Sequence, residues 1–305
     1  MNRANAGREQ IEGAILNFPN LLTDIDLTPF MDDEQTRKIC RASDFKDKLI
    51  GLIAGGGEKG YKMPWDSLAG HFECRPSELT VWAGAKGHGK SLVLSQVLES
   101  FITMGQKVFV ISPEFPPHRV LHRMLIQSFG VGEAKSVSMA EKWIDAVSDN
   151  LWLYDQQKSL HPSDIPALCR YAVKRLGVHH ILIDSLMKCG VGSDDYNGQK
   201  KLVDAIQQVA HNSNVHIHLV AHSKKGSSDE KMGGLHDVKG ASEIADMAEN
   251  VIFVWRNKQK ELGSGKAEEP DCVVKVESQR NGDGWIGVVN LYFRKNNFTF
   301  YEGQR

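Results

Sequence analysis

With 305 residues, 41% of them hydrophobic and 25% charged, the chain has a globular composition, with room for one large domain and a small appendage. A formal net charge of −1 excludes a global basic field, so any nucleic-acid surface must be a local patch or one shared between subunits. Five scattered cysteines (Cys40, Cys74, Cys169, Cys189 and Cys272) without C-x-x-C spacing argue against a disulfide framework or a zinc site, and no apolar run approaches the roughly 18 residues of a membrane span, which points to a soluble protein of a reducing interior.

In chain order, helical spacing appears over 8–18, 33–40 and 44–53, before Gly55-Gly56-Gly57 breaks the pattern. Residues 1–60 thus read as a short helical segment, which either caps the main core or reaches a neighbouring subunit. From Tyr61 to the end, short apolar runs alternate with helical stretches. Strands are expected over 79–83, 108–112, 151–154, 180–184, 217–221, 251–255, 273–277 and 288–293, with helices over 91–104, 117–128, 139–148, 162–176, 199–212 and 242–247. Such alternation implies an α/β fold with a mostly parallel central sheet flanked by helices. The last two strands, joined through Asn281-Gly282-Asp283-Gly284, should form an antiparallel hairpin at one edge.

The segment Gly84-Ala85-Lys86-Gly87-His88-Gly89-Lys90-Ser91 fits G-x-x-x-x-G-K-[ST] between a strand and a helix that opens with Leu92. Glycines let backbone N–H groups curl toward a β-phosphate at a helix N-terminus; Lys90 reaches the β- and γ-phosphates and Ser91 ligates Mg²⁺. About 90 residues on, His180-Ile181-Leu182-Ile183-Asp184 is an apolar strand ending in a carboxylate, placed to hold the same cation. Glu114 follows the 108–111 run, at a strand end expected beside the phosphate-loop strand, where a carboxylate can accept a proton from the attacking water or orient it; the alternative is a helix-start acid before Pro116-Pro117. His222 closes another buried strand, placed either to contact a γ-phosphate or simply to cap the loop behind it. That loop is glycine-rich and carries Lys224, Lys225 and Lys231, with Lys239 beyond, as a phosphodiester-contacting segment or a merely solvated one would. Arg280, at the expected hairpin tip, is either solvated or offered to a neighbour's phosphoryl group.

Taken in order, the phosphate loop, Glu114, Asp184, the His222 strand, Asp237-Val238-Lys239-Gly240-Ala241 and Gln279-Arg280-Asn281-Gly282 resemble the RecA-like motor domain of the hexameric DnaB-type replicative helicases. The likeness is greatest to the helicase half of phage primase-helicases and to the mitochondrial replicative helicase. It implies a RecA-like P-loop fold over 61–305 that binds ATP or another NTP with Mg²⁺. It also implies Glu114 as catalytic glutamate, His222 as γ-phosphate sensor, Arg280 as arginine finger, and the lysines after His222 as contacts to single-stranded DNA in a homo-hexameric ring. Arg256 and Phe293 fall where the family sandwiches the nucleotide base. A primase or loader protein is an implied partner, and the cytoplasm, or the host-cell interior for a phage-encoded chain, the implied location. The chain departs from the pattern at Ser278, where the family usually has lysine, and in having only about 60 residues before the motor. The functional expectation is an ATP-driven DNA helicase; a RecA-type recombinase or mediator, and a nucleotide-bound loading or scaffold subunit with weak ATPase, are the alternatives.

Overall fold

Four largely apolar runs, 79–83, 108–111, 180–183 and 216–220, are buried at every residue, as strands covered on both faces must be, and they lie side by side in one sheet. The computed structural model describes residues 40–55, 57, 59–192, 194–222 and 242–303. The helix expected over 8–18, most of that over 33–40, and the lysine loop with Lys224, Lys225, Lys231 and Lys239 lie outside them. The described residues belong to two units, 1–58 and 59–305. In the first, a 3-10 turn, Ala42–Phe45, leads into helix α1, Lys46–Gly55. The glycine run ends this helix two residues later than the sequence pattern suggests.

In the second unit a two-stranded ribbon, β1 (Tyr61–Lys62) and β2 (Glu73–Cys74), precedes β3 (Leu79–Ala83), the phosphate-loop strand. There follow α2 (Lys90–Thr103), β4 (Val108–Ile111), α3 (Pro117–Phe129), α4 (Val137–Val147), β5 (Leu151–Tyr154), α5 (Asp164–Tyr171), β6 (His180–Ile183), α6 (Tyr196–Ser213) and β7 (His216–Val220). The remainder is α7 (Ser242–Met247), β8 (Asn250–Arg256), α8 (Lys258–Glu261), β9 (Cys272–Gln279), β10 (Gly287–Arg294) and β11 (Thr299–Glu302). Helices α4 and α6 start earlier than their apolar periodicity alone indicates because Ser136 and Asp195 cap them, accepting from the N–H groups of Met139 (3.4 Å) and Gly198 (2.8 Å).

The nine-stranded sheet runs β11-β10-β9-β8-β3-β7-β6-β4-β5, parallel from β8 to β5 and antiparallel from β8 to β11. Residues alternate between two cores, as the two-residue side-chain period requires. Trp82 packs with Phe101, Leu94 and Val110 on one face, and Leu79, Val81 and Ala83 pack with Ile183, Ile206 and Leu219 on the other. Phe101 is fully buried and stacks on His180 at 4.2 Å, so Phe101→Ala is expected to cost about 3–5 kcal/mol.

Two expectations are corrected. The β9–β10 hairpin is not the sheet edge, because the four-residue β11 pairs outside it. Nor is the Glu114 strand beside the phosphate-loop strand: β7 and β6 stand between β3 and β4, since the crossover from β3 to β4 skips two places that later strands fill. Among the described residues no helix is long and apolar enough to cross a membrane.

Candidate nucleotide site

The carboxyl ends of β3, β4, β6 and β7 deliver their following residues to one place, where open parallel sheets bind ligands. After β3, Gly84 adopts φ +147° with a carbonyl of β8 so near that a Cβ would lie 2.3 Å from the Val254 oxygen, so only glycine fits. Gly89, also at positive φ, precedes α2, whose first-turn N–H groups have no partners within the helix. Ala85 and Gly89 are half-buried, Lys86 and Gly87 exposed, and His88 buried. His88 Nδ1 accepts from the Arg256 N–H at 3.2 Å, which ties the loop to the end of β8.

Lys90 is 5% exposed and folds back over its own loop, donating to the carbonyls of Gly84 (2.7 Å) and Ala85 (3.0 Å). Burial lowers its ammonium to about 8 against the opposing pull of Asp184 and Glu114. An ammonium so buried fits an arriving phosphate. Ser91 Oγ donates to Asp184 Oδ2 at 2.6 Å, and Asp184, 4% exposed, is raised by burial despite that bond. A hydroxyl and a carboxylate on adjoining elements are hard oxygen ligands of the kind Mg²⁺ takes, and a cation would offset the cost of burying the carboxylate.

Glu114, despite the two intervening strands, reaches the same cluster through Ser185, a residue that the motif reading passed over. Ser185 Oγ donates to Glu114 Oε1 at 2.9 Å and lies 3.5 Å from His222 Nε2; His222 Nδ1 lies 3.3 Å from the Lys90 ammonium. Only one tautomer satisfies these contacts. Lysine has donors alone, so Nδ1 accepts; Nε2–H then donates to Ser185, whose own proton goes to Glu114. A single directed run of hydrogen bonds therefore joins the phosphate-loop lysine to the carboxylate. His222 Nε2 is itself 3.8 Å from Glu114 Oε1, beyond hydrogen-bond distance. The facing His222 first, then Ser185 and Lys188, hold the Glu114 carboxyl down to about 2 against its partial burial. Such an ionised carboxylate is a weak proton acceptor, suited to orienting water rather than deprotonating it. Arg123, over the Phe115 ring at 4.9 Å, fixes the residue next to Glu114.

On the other side of the loop, Gly89, Leu92, Arg256 and Phe293 line one cavity of about 310 Å³ with Lys260, Asp271 and Phe300. Its polar rim is internally paired: Arg256 with Glu261, Lys260 with Asp271 at 2.9 Å, and Asp271 with the Phe293 N–H at 2.8 Å. Phe293 packs against Phe300, ring centroids 5.2 Å apart. The size and the mixture of aromatic and polar groups can hold a planar base.

Arg280 does not join this site. Its N–H donates to the Glu249 carbonyl at 2.8 Å, and Glu249 Oε2 accepts from the Leu79 N–H at 2.8 Å, so Arg280 stands at the amino end of β3. The phosphate loop begins five residues further along, roughly 16 Å away. One cluster was invisible in the cysteine spacing: Cys74, His216 and His218 are buried together. The imidazole nitrogens are already engaged, however. His216 Nδ1–H donates to the Arg75 carbonyl (2.6 Å) and its Nε2 accepts from Thr80 (2.9 Å), while His218 Nδ1 accepts from Trp82 Nε1 (3.3 Å). The group reads as a neutral hydrogen-bonded core.

The fold recurs in solved structures. A structure described as an ATPase domain matches at TM-score 0.72 and 15% identity, over 85% of this chain and 99% of that one. A DnaB-like replicative helicase, described with its interactions with primase, matches at TM-score 0.70 and 15% identity, over 99% of this chain and 76% of that one. A KaiC-like protein from the archaeon Pyrococcus horikoshii matches at TM-score 0.59 and 12% identity, over 81% of this chain and all of that one. The family model of the DnaB-like helicase C-terminal domain matches residues 66–302. The chain therefore belongs to the DnaB-like helicase C-terminal domain family.

Proposed function

We propose that residues 61–305 are an ATP-driven motor of DNA replication that assembles as a homo-hexameric ring, hydrolyses ATP or another NTP between subunits and translocates on single-stranded DNA, with 1–60 as a helical linker. The observation that carries this reading is the run Lys90–His222–Ser185–Glu114, which links the phosphate loop to the water-orienting carboxylate and includes, in His222, a residue just before the lysine segment. Membership of a helicase family supports the substrate. A primase or loader as partner extends to this chain what one structural neighbour's description says of primase.

Mg²⁺, when bound, supplies positive charge to the phosphate oxygens. The chain's residues do the rest. Lys90 exchanges the Gly84 and Ala85 carbonyls for phosphate oxygens, and Ser91 and Asp184 hold the cation. Glu114, kept ionised, orients the attacking water. Arg256 and Phe293 bracket the base. His222 loses or regains its Lys90 contact as the γ-phosphate comes and goes, and passes that change to the segment carrying Lys224, Lys225, Lys231 and Lys239. Arg280 meets the nucleotide of the next subunit.

The test is steady-state ATP hydrolysis with and without single-stranded DNA, together with unwinding of a forked duplex and negative-stain images. Closed rings with DNA-stimulated turnover and unwinding are expected. Open filaments would favour a recombinase, and absent turnover a scaffold. Replacing Lys224 and Lys225 with Ala should weaken DNA binding about equally for all sequences and reduce its salt slope, leaving DNA-independent hydrolysis intact.

A further inference from the structure

The connection that carries Arg280 is pinned on both sides, and its anchors lead to the root of the phosphate-loop strand. Arg280 itself is exposed. Before it, Gln279, 8% exposed, donates to the His71 carbonyl at 3.0 Å and accepts from Arg75 Nη1 at 3.5 Å. After it, Asn281 Nδ2 donates to Glu78 Oε1 at 2.9 Å. Gly282 has φ +81°, a conformation that side chains rarely adopt, and it lies against the end of the Arg75 side chain.

Glu78 is the hub. It is 2% exposed, and a carboxylate so buried persists only when its oxygens are matched. Its Oε2 accepts from Asn250 Nδ2 at 2.8 Å, and Arg75 Nη1 stands 3.9 Å from Oε1. Burial raises its carboxyl, while Asn250, Asn281 and Arg75 pull it back. An apolar side chain would fill the same space at less electrostatic cost. What the carboxylate adds is direction: it ties β8 and the Arg280 connection to the start of β3 in one register.

We propose that Glu78, acting through Asn281, is a positioning residue for Arg280, aiming the guanidinium outward from the amino end of β3 at the nucleotide of a neighbouring copy of this chain. The proposal rests on the reading of Arg280 as acting between subunits. One strand of five buried residues then carries the subunit's own phosphate loop at one end and the group offered to its neighbour at the other.

Asn281 is exposed, so changing it opens no cavity and leaves Glu78 Oε1 facing the Arg75 guanidinium at 3.9 Å. In the full-length assembled protein with ATP and Mg²⁺, Asn281→Ala is expected to lower kcat about 10- to 100-fold, the effect of misplacing a catalytic group by about 1 Å, with KM for ATP within about twofold. Asn281→Asp keeps the turn-forming side chain but sets a second carboxylate against Glu78, and is expected to lose at least as much. Subunits carrying Lys90→Ala, whose Arg280 connection is intact, should restore turnover to Asn281→Ala subunits in verified mixed assemblies. Full kcat in Asn281→Asp while Arg280→Ala is inactive overturns the proposal and leaves the reading of Arg280 standing. Loss in Asn281→Ala that Lys90→Ala subunits never rescue also overturns it, since the defect then lies in the variant's own site. A fully active Arg280→Ala removes the reading of Arg280 and the proposal with it.

Discussion

The two ends of β3 differ in how their charges are matched. At the carboxyl end Lys90, Asp184, Glu114 and His222 meet partners from their own chain, and the ionisable groups are displaced accordingly: Lys90 down to about 8, Asp184 up, Glu114 down to about 2. At the amino end the buried charges Glu78 and Glu249 hold backbone and amide groups, while Arg280 faces outward. One end is an almost complete chemical site; the other is a rigid mount. On the proposed function, a positive charge for the first is supplied by the second when two copies meet.

Breaking the comparison at its carboxyl end should give the largest effects. Lys90→Ala removes the ammonium that meets charge already present in bound ATP, and nucleotide affinity by equilibrium titration is expected to fall about 100-fold or more. Glu114→Gln should leave that affinity within about twofold and slow single-turnover hydrolysis about 10²- to 10³-fold. Normal hydrolysis in Glu114→Gln would reduce this carboxylate to a helix-start acid. Ser185→Ala sharpens the same point at a smaller magnitude, about tenfold in kcat. It removes a donor that keeps Glu114 ionised, so the Glu114 carboxyl should titrate at a higher pH than the about 2 that it has with Ser185 in place.

A separate effect, on stability rather than turnover, concerns the core. His180, His216 and His218 are buried and their imidazoles lowered, His216 to about 4 from 6.5, chiefly by burial. Their folded values lie below the unfolded ones, so this stability is complete above the unfolded value and is lost as pH falls from about 6.5 toward 4. For His216 alone the loss at pH 5 is about 2 kcal/mol. The denaturant midpoint should therefore drop between pH 7.5 and 5, and a constant midpoint would contradict the neutral assignment.

The eight strands, the glycine loop and the Asp184 strand end were legible because each is a local pattern: an apolar run with punctuation, or glycine and lysine at fixed spacing. Strand β11 was not, since Thr299–Glu302 is too short to carry periodicity and exists through its pairing with β10. The sheet order escaped for the same reason, and Glu114 was expected beside β3 although two strands separate them. Ser185 was hidden because a serine after an aspartate signals nothing until β4 and β7 bring Glu114 and His222 to it. Cys74 likewise meets His216 and His218 only through the sheet.

The central claim is that a working site takes its phosphate loop from one subunit and Arg280 from the next. Arg280→Ala and Lys90→Ala proteins, each expected to hydrolyse ATP about 10³-fold more slowly or worse than the native chain, can be mixed and their steady-state turnover followed against mixing ratio, with mixed assemblies verified. Recovery that peaks at intermediate ratios is expected, because some neighbours then combine an intact Lys90 with an intact Arg280. Turnover that stays at the level of the separate variants at every ratio would contradict the claim.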